Sequence, residues 1–204
     1  MLRWTIRFSC VAALLVIAQF ALSQTEFSAD VVDNQKAGRG MTKVYFGKDK
    51  MRFDAAGNEN GGGAMIMNLT TQSYIVVMAK QKMYMEMPAS AMENRGMFTF
   101  FKSGDVENAC ADWLKLSPNK GGTCHKIGHE TVNGRETIKY EGTNSKGETS
   151  TVWLDSKVRF PVKWQGKNDS GELRNIQEGP QPASLFDPPS DYKKMDMSGM
   201  MQRQ

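Results

Sequence analysis

Hydrophobic and polar positions alternate with a period of two along most of the chain, the spacing of strands that keep one face dry and the other wet. Phe27, Ala29 and Val31 alternate with Ser28 and Asp30. Val44 and Phe46 alternate with Lys43 and Tyr45, and Met51 and Phe53 flank Arg52. After a triple glycine at Gly61, Gly62 and Gly63 come three more rows: Met65, Met67 and Leu69; Ile75, Val77 and Ala79; and Met83, Met85 and Met87. The habit resumes with Ile138 and Tyr140, with Val152 and Leu154, and with Phe160, Val162 and Trp164, and a last strand is predicted over residues 172–177. Between the rows lie Gly47-Lys48-Asp49, Asn133-Gly134, Ser145-Lys146-Gly147 and Asp169-Ser170-Gly171, residues that tolerate the positive φ of tight turns. The pattern predicts an antiparallel meander of about ten strands.

Three segments break the alternation. Residues 89–116 space Ala91-Met92, Met97-Phe98 and Phe101 as on a helix, and Asp105 is placed to cap a second helix carrying Val106, Ala109, Trp113 and Leu116. From residue 180 onward Pro180, Pro182, Pro188 and Pro189 fix an extended tail with Leu185-Phe186 as one docking point and Tyr192 as another; disorder is expected beyond Met195. At the start, Arg3 and Arg7 precede an apolar run from Phe8 to Leu22, with small residues at Ala21 and Ser23. That order of charge, grease and small residues is that of a secretory signal cleaved near Ser23. Fifteen residues of helix reach only about 22 Å, short of a hydrocarbon core of roughly 30 Å, so a membrane anchor fits less well. The expected organisation is a signal over residues 1–23, one curved-sheet domain over 24–179 with its helical insert at about 89–116, and a tail over 180–204.

A chain of 204 residues suffices for one cored domain. Removing Arg3 and Arg7 leaves 24 basic against 22 acidic residues, too even a balance for nucleic acid. Export makes the compartment oxidising, and Cys110 and Cys124 are then the only cysteines left, so they are expected to form a disulfide. The rival, a metal or redox site of Cys124, His125 and His129, lacks a Cys-x-x-Cys and the spacing of zinc motifs. No serine, cysteine or histidine stands in a nucleophile setting, and the chain reads as a non-enzyme without a cofactor.

Ten strands spaced about 4.8 Å apart make a sheet nearly 50 Å wide, and two helices about 10 Å across cover less than half of it. A soluble monomer does not leave such a surface open, so the sheet must curl, pack on itself or hold something apolar. The candidate residues of a binding hollow are Met65, Met67, Ile75, Val77, Met83, Met85, Met87, Phe160, Val162 and Trp164. Unbranched thioethers adapt to acyl chains of mixed length, though they also fill ordinary cores. Soft thioethers select Cu(I) as well, and Met195, Met197, Met200 and Met201 give the C-terminus the density for it.

The run Gly128-His-Glu-Thr-Val-Asn-Gly134, followed by Thr137 to Tyr140, Thr151 to Asp155, Phe160 to Trp164, Leu185 to Pro188 and Tyr192 to Met195, resembles an uncharacterised bacterial periplasmic domain family similar to the LolA/LolB-like lipoprotein-carrier superfamily. The resemblance implies an incomplete, strongly curved antiparallel barrel, lidded by helices and able to receive acyl chains. Carrier proteins of that kind begin with a helix, whereas this chain enters its first strand almost at once, and no ligand-contact residue is carried over. The expectation is therefore a mainly β (α+β) periplasmic monomer that shelters a lipid or a lipoprotein acyl chain. The alternatives are a filled-core envelope module with a protein partner, and a copper-binding protein.

Overall fold

The computed structural model describes residues 25–34, 40–57, 61–88, 104–115, 119–167 and 169–195. The expected signal, the first expected helix and the Met-rich end beyond Met195 lie outside the described residues. Within them, strands β1 (Phe27–Asp33), β2 (Met41–Phe46), β3 (Lys50–Ala55), β4 (Gly63–Asn68), β5 (Tyr74–Met78) and β6 (Met83–Met87) form the first meander. A 3₁₀ turn at Val106–Asn108 leads into α1 (Ala109–Trp113). Then β7 (Thr123–Val132), β8 (Arg135–Thr143), β9 (Thr149–Asp155), β10 (Pro161–Gln165) and β11 (Ser170–Glu178) form the second, and β12 (Lys193–Lys194) ends the tail.

All twelve belong to one sheet, in the order β12-β6-β5-β4-β3-β2-β1-β11-β10-β9-β8-β7. The two meanders are welded at their inner strands, where β1 runs antiparallel to β11 from Phe27 opposite Glu178 to Asp33 opposite Gly171. The outer strands β12 and β7 do not meet, so the sheet is open. Its curvature is visible in one aromatic cluster. Phe46 on β2 and Phe160 at the start of β10 are three strand spacings apart, about 14 Å on a flat sheet. Their ring centroids lie 5.9 Å apart, and Phe27 completes the triangle, stacked on Phe46 at 5.7 Å and edge-on to Phe160 at 5.3 Å. Side chains converge like this only on the inside of a bend. The expectation of a strongly curved antiparallel sheet is met, with twelve strands rather than ten and with β12 alone pairing in parallel, against β6.

The two halves differ in how their faces are covered. On the concave side of the first meander, Phe27, Val44, Phe46, Met51, Met67 and Tyr74 pack into one core with Phe160 and Val162 from the second. The opposite face of β4 and β5 is dry as well, because the tail lies on it. Pro180 and Pro182 lead into a 3₁₀ turn at Ala183–Phe186, and Phe186 is buried against Ala64, Ile66 and Val77, flanked by Tyr192. Arg52 on that face donates from Nη1 to the Leu185 carbonyl at 2.9 Å and from Nε to Asp54 at 2.7 Å. One dry face per strand is therefore the wrong description of β4 and β5.

On the second meander, α1 packs over Ile138, Tyr140 and Leu154. The Asp105 carboxylate caps this segment by accepting from the Glu107 N–H at 2.9 Å, the role its sequence position suggested. Cys110 in α1 and Cys124 in β7 form the expected disulfide, which closes a separation of 14 residues. An ionic clasp locks the base of this half. Arg135 bonds both oxygens of the buried Asp155 carboxylate and reaches Glu178 at 2.8 Å, and Lys157 holds the other Glu178 oxygen at 2.6 Å. Asp155 also accepts from the N–H groups of Lys157 and Val158, each at 2.8 Å, so its lone pairs are used. Among the described residues, no helix is long and apolar enough to cross a membrane.

Candidate functional site

The packed core ends at Phe53, Phe160 and Leu173, and beyond them the concave face opens into a cavity of about 530 Å³. Its floor is a single cross-strand row. Tyr140 on β8 faces Val152 on β9, Val152 faces Trp164 on β10, Trp164 faces Gly171 on β11, and Gly171 faces Asp33 on β1. Val31, Met41 and Phe53 bring the first meander to the far wall, and Trp113 of α1 closes one side. Phe53 and Val152 are five strand spacings apart, so curvature alone lets them border one space.

Two glycines create room for the tryptophans. A Cβ on Gly142 would lie 2.8 Å from the Trp113 ring, and one on Gly171 would lie 2.5 Å from the Trp164 ring and 2.6 Å from the Val32 carbonyl oxygen. Each indole therefore lies flat on bare backbone, and larger residues would push it into the cavity. The segment carrying Trp113 is pinned by the Tyr140 hydroxyl, which donates to the Val106 carbonyl at 2.6 Å. Burial raises the Tyr140 pKa, so the hydroxyl stays a donor across the physiological range.

Polar groups collect at one end. The Trp164 indole N–H donates to Asp169 at 3.1 Å, and Asp33, Ser150, Thr151 and Gln165 also border the space. From there a side cleft of about 250 Å³ continues, sharing Trp113, Ser150, Gly166 and Asp169 and adding Asn119, Asn144, Glu148, Thr149 and Lys167. Asn119 is buried and its amide donates to the Trp113 carbonyl at 3.1 Å. The arrangement is an apolar chamber with a polar side cleft.

The residues singled out from the sequence divide unequally. Phe160 and Trp164 line the cavity; Val162 is buried in the core beside it. Met65 and Met67 face the concave side but belong to the packed core, Met67 fully buried. Met83, Met85 and Met87 pair with Met78, Val76 and Tyr74 on that same side and are half-buried; Met87 packs against the core, and none of the three lines the cavity. Ile75 and Val77 lie on the opposite face with Ile66 and Ala64, under the tail. The reason is register: Met65 faces Val76, not Ile75 or Val77. Both rows of β5 are apolar, so its alternation left the choice of face open. The lining residues Met41, Phe53, Trp113, Tyr140, Val152 and Leu173 were not picked out as a site. The readable signal is the glycine inside a strand at Gly142; Ser170 and Gly171, read from the sequence as part of a turn, lie in β11 instead.

His125 and His129 lie in the edge strand β7, on either side of a bulge at residues 126–128, and His125 Nε2 sits 3.4 Å from Glu141. Among the described residues, no three His, Cys, Asp or Glu side chains are grouped to hold a metal ion. On the outer face, Trp153 is buried between Lys139 and Lys163, whose Nζ atoms stand 4.9 Å and 4.5 Å from its ring centroid. Lys139 Nζ also pairs with the neighbouring Glu130 carboxylate at 3.2 Å.

A family model described as a domain of unknown function, DUF4412, matches residues 30–115. No curated protein matches the chain. Among solved structures, an uncharacterized conserved protein from Thermus thermophilus is similar at 9% identity, with 85% of this chain and 91% of that one covered and a TM-score of 0.55. The lipoprotein LppX from Mycobacterium tuberculosis is similar at 14% identity, with 79% and 89% covered and a TM-score of 0.42. A LolA superfamily protein from Nitrosomonas europaea is similar at 10% identity, with 80% and 90% covered and a TM-score of 0.33. The likeness to the Thermus thermophilus protein is one of fold. At these identities the likeness is of fold alone, and what any of them binds does not pass to this chain through it.

Proposed function

We propose that this chain is an exported, non-enzymatic binding protein that shelters the acyl part of a lipid or lipoprotein in the concave cavity. The observation that carries the reading is the cavity itself. Part of the concave face is filled by the chain's own side chains; where β1–β3 curve round to β8–β11 it borders about 530 Å³ walled by Val31, Phe53, Val152, Phe160, Trp164 and Leu173. That volume lies in the range of clefts that bury most of a small apolar ligand. Burial would supply the affinity, at about 0.8 kcal/mol per methylene. The Cys110–Cys124 bond supports an oxidising compartment, and the signal-like residues 1–23 supply the route to it.

The filled part favours a second reading, an envelope interaction module whose cavity is incidental. Native mass spectrometry of the mature protein purified from the periplasm separates the two. The carrier reading expects a lipid adduct, displaced by an uncharged fluorescent acyl probe. Repeated recovery of empty protein that ignores the probe would leave the interaction module.

A further inference from the structure

One wall of the cavity is tied to the sheet by a bond that can be broken. Cys124 on β7 borders the cavity and stands opposite Gly142 on β8, and the Trp113 ring is what a Cβ on Gly142 would strike. Trp113 lies three residues beyond Cys110 in α1, so the Cys110–Cys124 bond fixes this short helix to the sheet beside the spot where its indole rests. The other anchors of the segment lie upstream of that bond. The Val106 carbonyl accepts from Tyr140, Glu107 pairs with Lys126, and Ala109 is buried against Ile138 and Leu154. Downstream, the Asn119 amide donates to the Trp113 carbonyl from the connection that follows the helix. The disulfide thus lies between the upstream anchors and the indole that closes the cavity.

Building on the carrier reading, we infer that the Cys110–Cys124 bond retains the guest by holding Trp113 over Gly142, and that thiol–disulfide exchange with a dithiol reductant discharges the cavity. Both cysteines are half-buried rather than sealed in the core, which leaves the bond open to attack. One thiolate of the reductant attacks a sulfur of the bond, forms a mixed disulfide and releases the other cysteine as a thiolate. The second thiolate then closes a disulfide within the reductant and expels the remaining cysteine. Two electrons pass to the protein, and the two protons lost by the dithiol end on Cys110 and Cys124. The segment stays anchored at Val106 and Ala109, while the end that carries Trp113 is released and the cavity loses one side.

The test is the dissociation rate of an uncharged pyrene-labelled fatty alcohol from the full mature chain, chased with excess unlabelled alcohol, before and after reduction by dithiothreitol. Reduction is expected to speed release about tenfold while far-UV circular dichroism and the amide protection of β1 and β11 hold. A general loosening of the fold would speed release in any variant, so Trp113→Leu separates the two causes. In that variant release should already be fast, and reduction should change it by less than about twofold. Gly142→Ala tests the wall with the disulfide kept, and so decides the matter even if the reduced chain unfolds. Its Cβ would stand 2.8 Å from the Trp113 ring, and it should speed release as reduction does. Release indifferent to reduction in a folded chain, a redox effect undiminished in Trp113→Leu, or unchanged release from Gly142→Ala would overturn the latch and leave the carrier reading standing. A probe that binds neither the oxidised nor the reduced protein would overturn both.

Discussion

Replacing Val152 by Phe tests whether the cavity is working space. Val152 lies mid-floor between Tyr140 and Trp164, half-buried, with its side chain toward the void. Phe adds about four heavy atoms; if each displaces about one methylene of a guest, the loss is about 3 kcal/mol, more than a hundredfold in Kd. The same ring fills empty volume in a wall already built of Phe53, Phe160 and Trp164, so overpacking strain is not expected and the denaturant midpoint should hold or rise. Fluorescence anisotropy of an uncharged acyl probe reads the first effect, and guanidinium unfolding followed by tryptophan emission reads the second. Unchanged probe affinity in a variant of unchanged stability would show that the guest lies elsewhere. A midpoint that drops sharply would show that the volume is not free.

Phe186→Ala should release the tail from the outer face of β2–β6 at a cost of about 3 kcal/mol, read as faster hydrogen exchange and proteolysis confined to residues beyond 180. Intact mature protein should gain the mass of two hydrogens on reduction, and Cys110→Ser/Cys124→Ser should lose about 3 kcal/mol, the chain-entropy value for a loop of this size; two free thiols before reduction would contradict it. Bonds from Lys157 and then Arg135 hold the Glu178 carboxyl below its ordinary 4.5. A depressed acid contributes stability that is intact above 4.5 and is lost as the pH falls through its folded-state value. The stability advantage of the native protein over Glu178→Gln should therefore fade below pH 4.5, and a pH-independent difference would refute the assignment.

Strands with one apolar row and one polar row, such as β2 and β3, were legible because the wet row fixes which face is which. In β4 and β5 both rows are apolar, since the tail covers the face that the first meander's core does not, and no local pattern reveals a cover supplied from a hundred residues away. The opposite failure hid β7. As an edge strand it is wet on nearly every residue, Ile127 included at 52% exposure, so it has no dry row to detect. Met65, Met67, Met83, Met85 and Met87 lie on the concave side, but none of them lines the cavity. The void lies where curvature brings β1–β3 round to β8–β11, a relation between the two halves that period-two reading of single strands does not contain.

The weld between β1 and β11 also sets the order of assembly. Phe27 finds its ladder partner at Glu178, so the first strand of the described chain waits for almost the last before its second edge is bonded. Hairpins within each meander close in microseconds, but uniting them demands a contact across most of the polypeptide, which places the final step among the slow, topology-limited ones. Until then β1 shows an unmated edge with Phe27 bare beside it, a lure for aggregation in any chain still emerging or threaded through a pore.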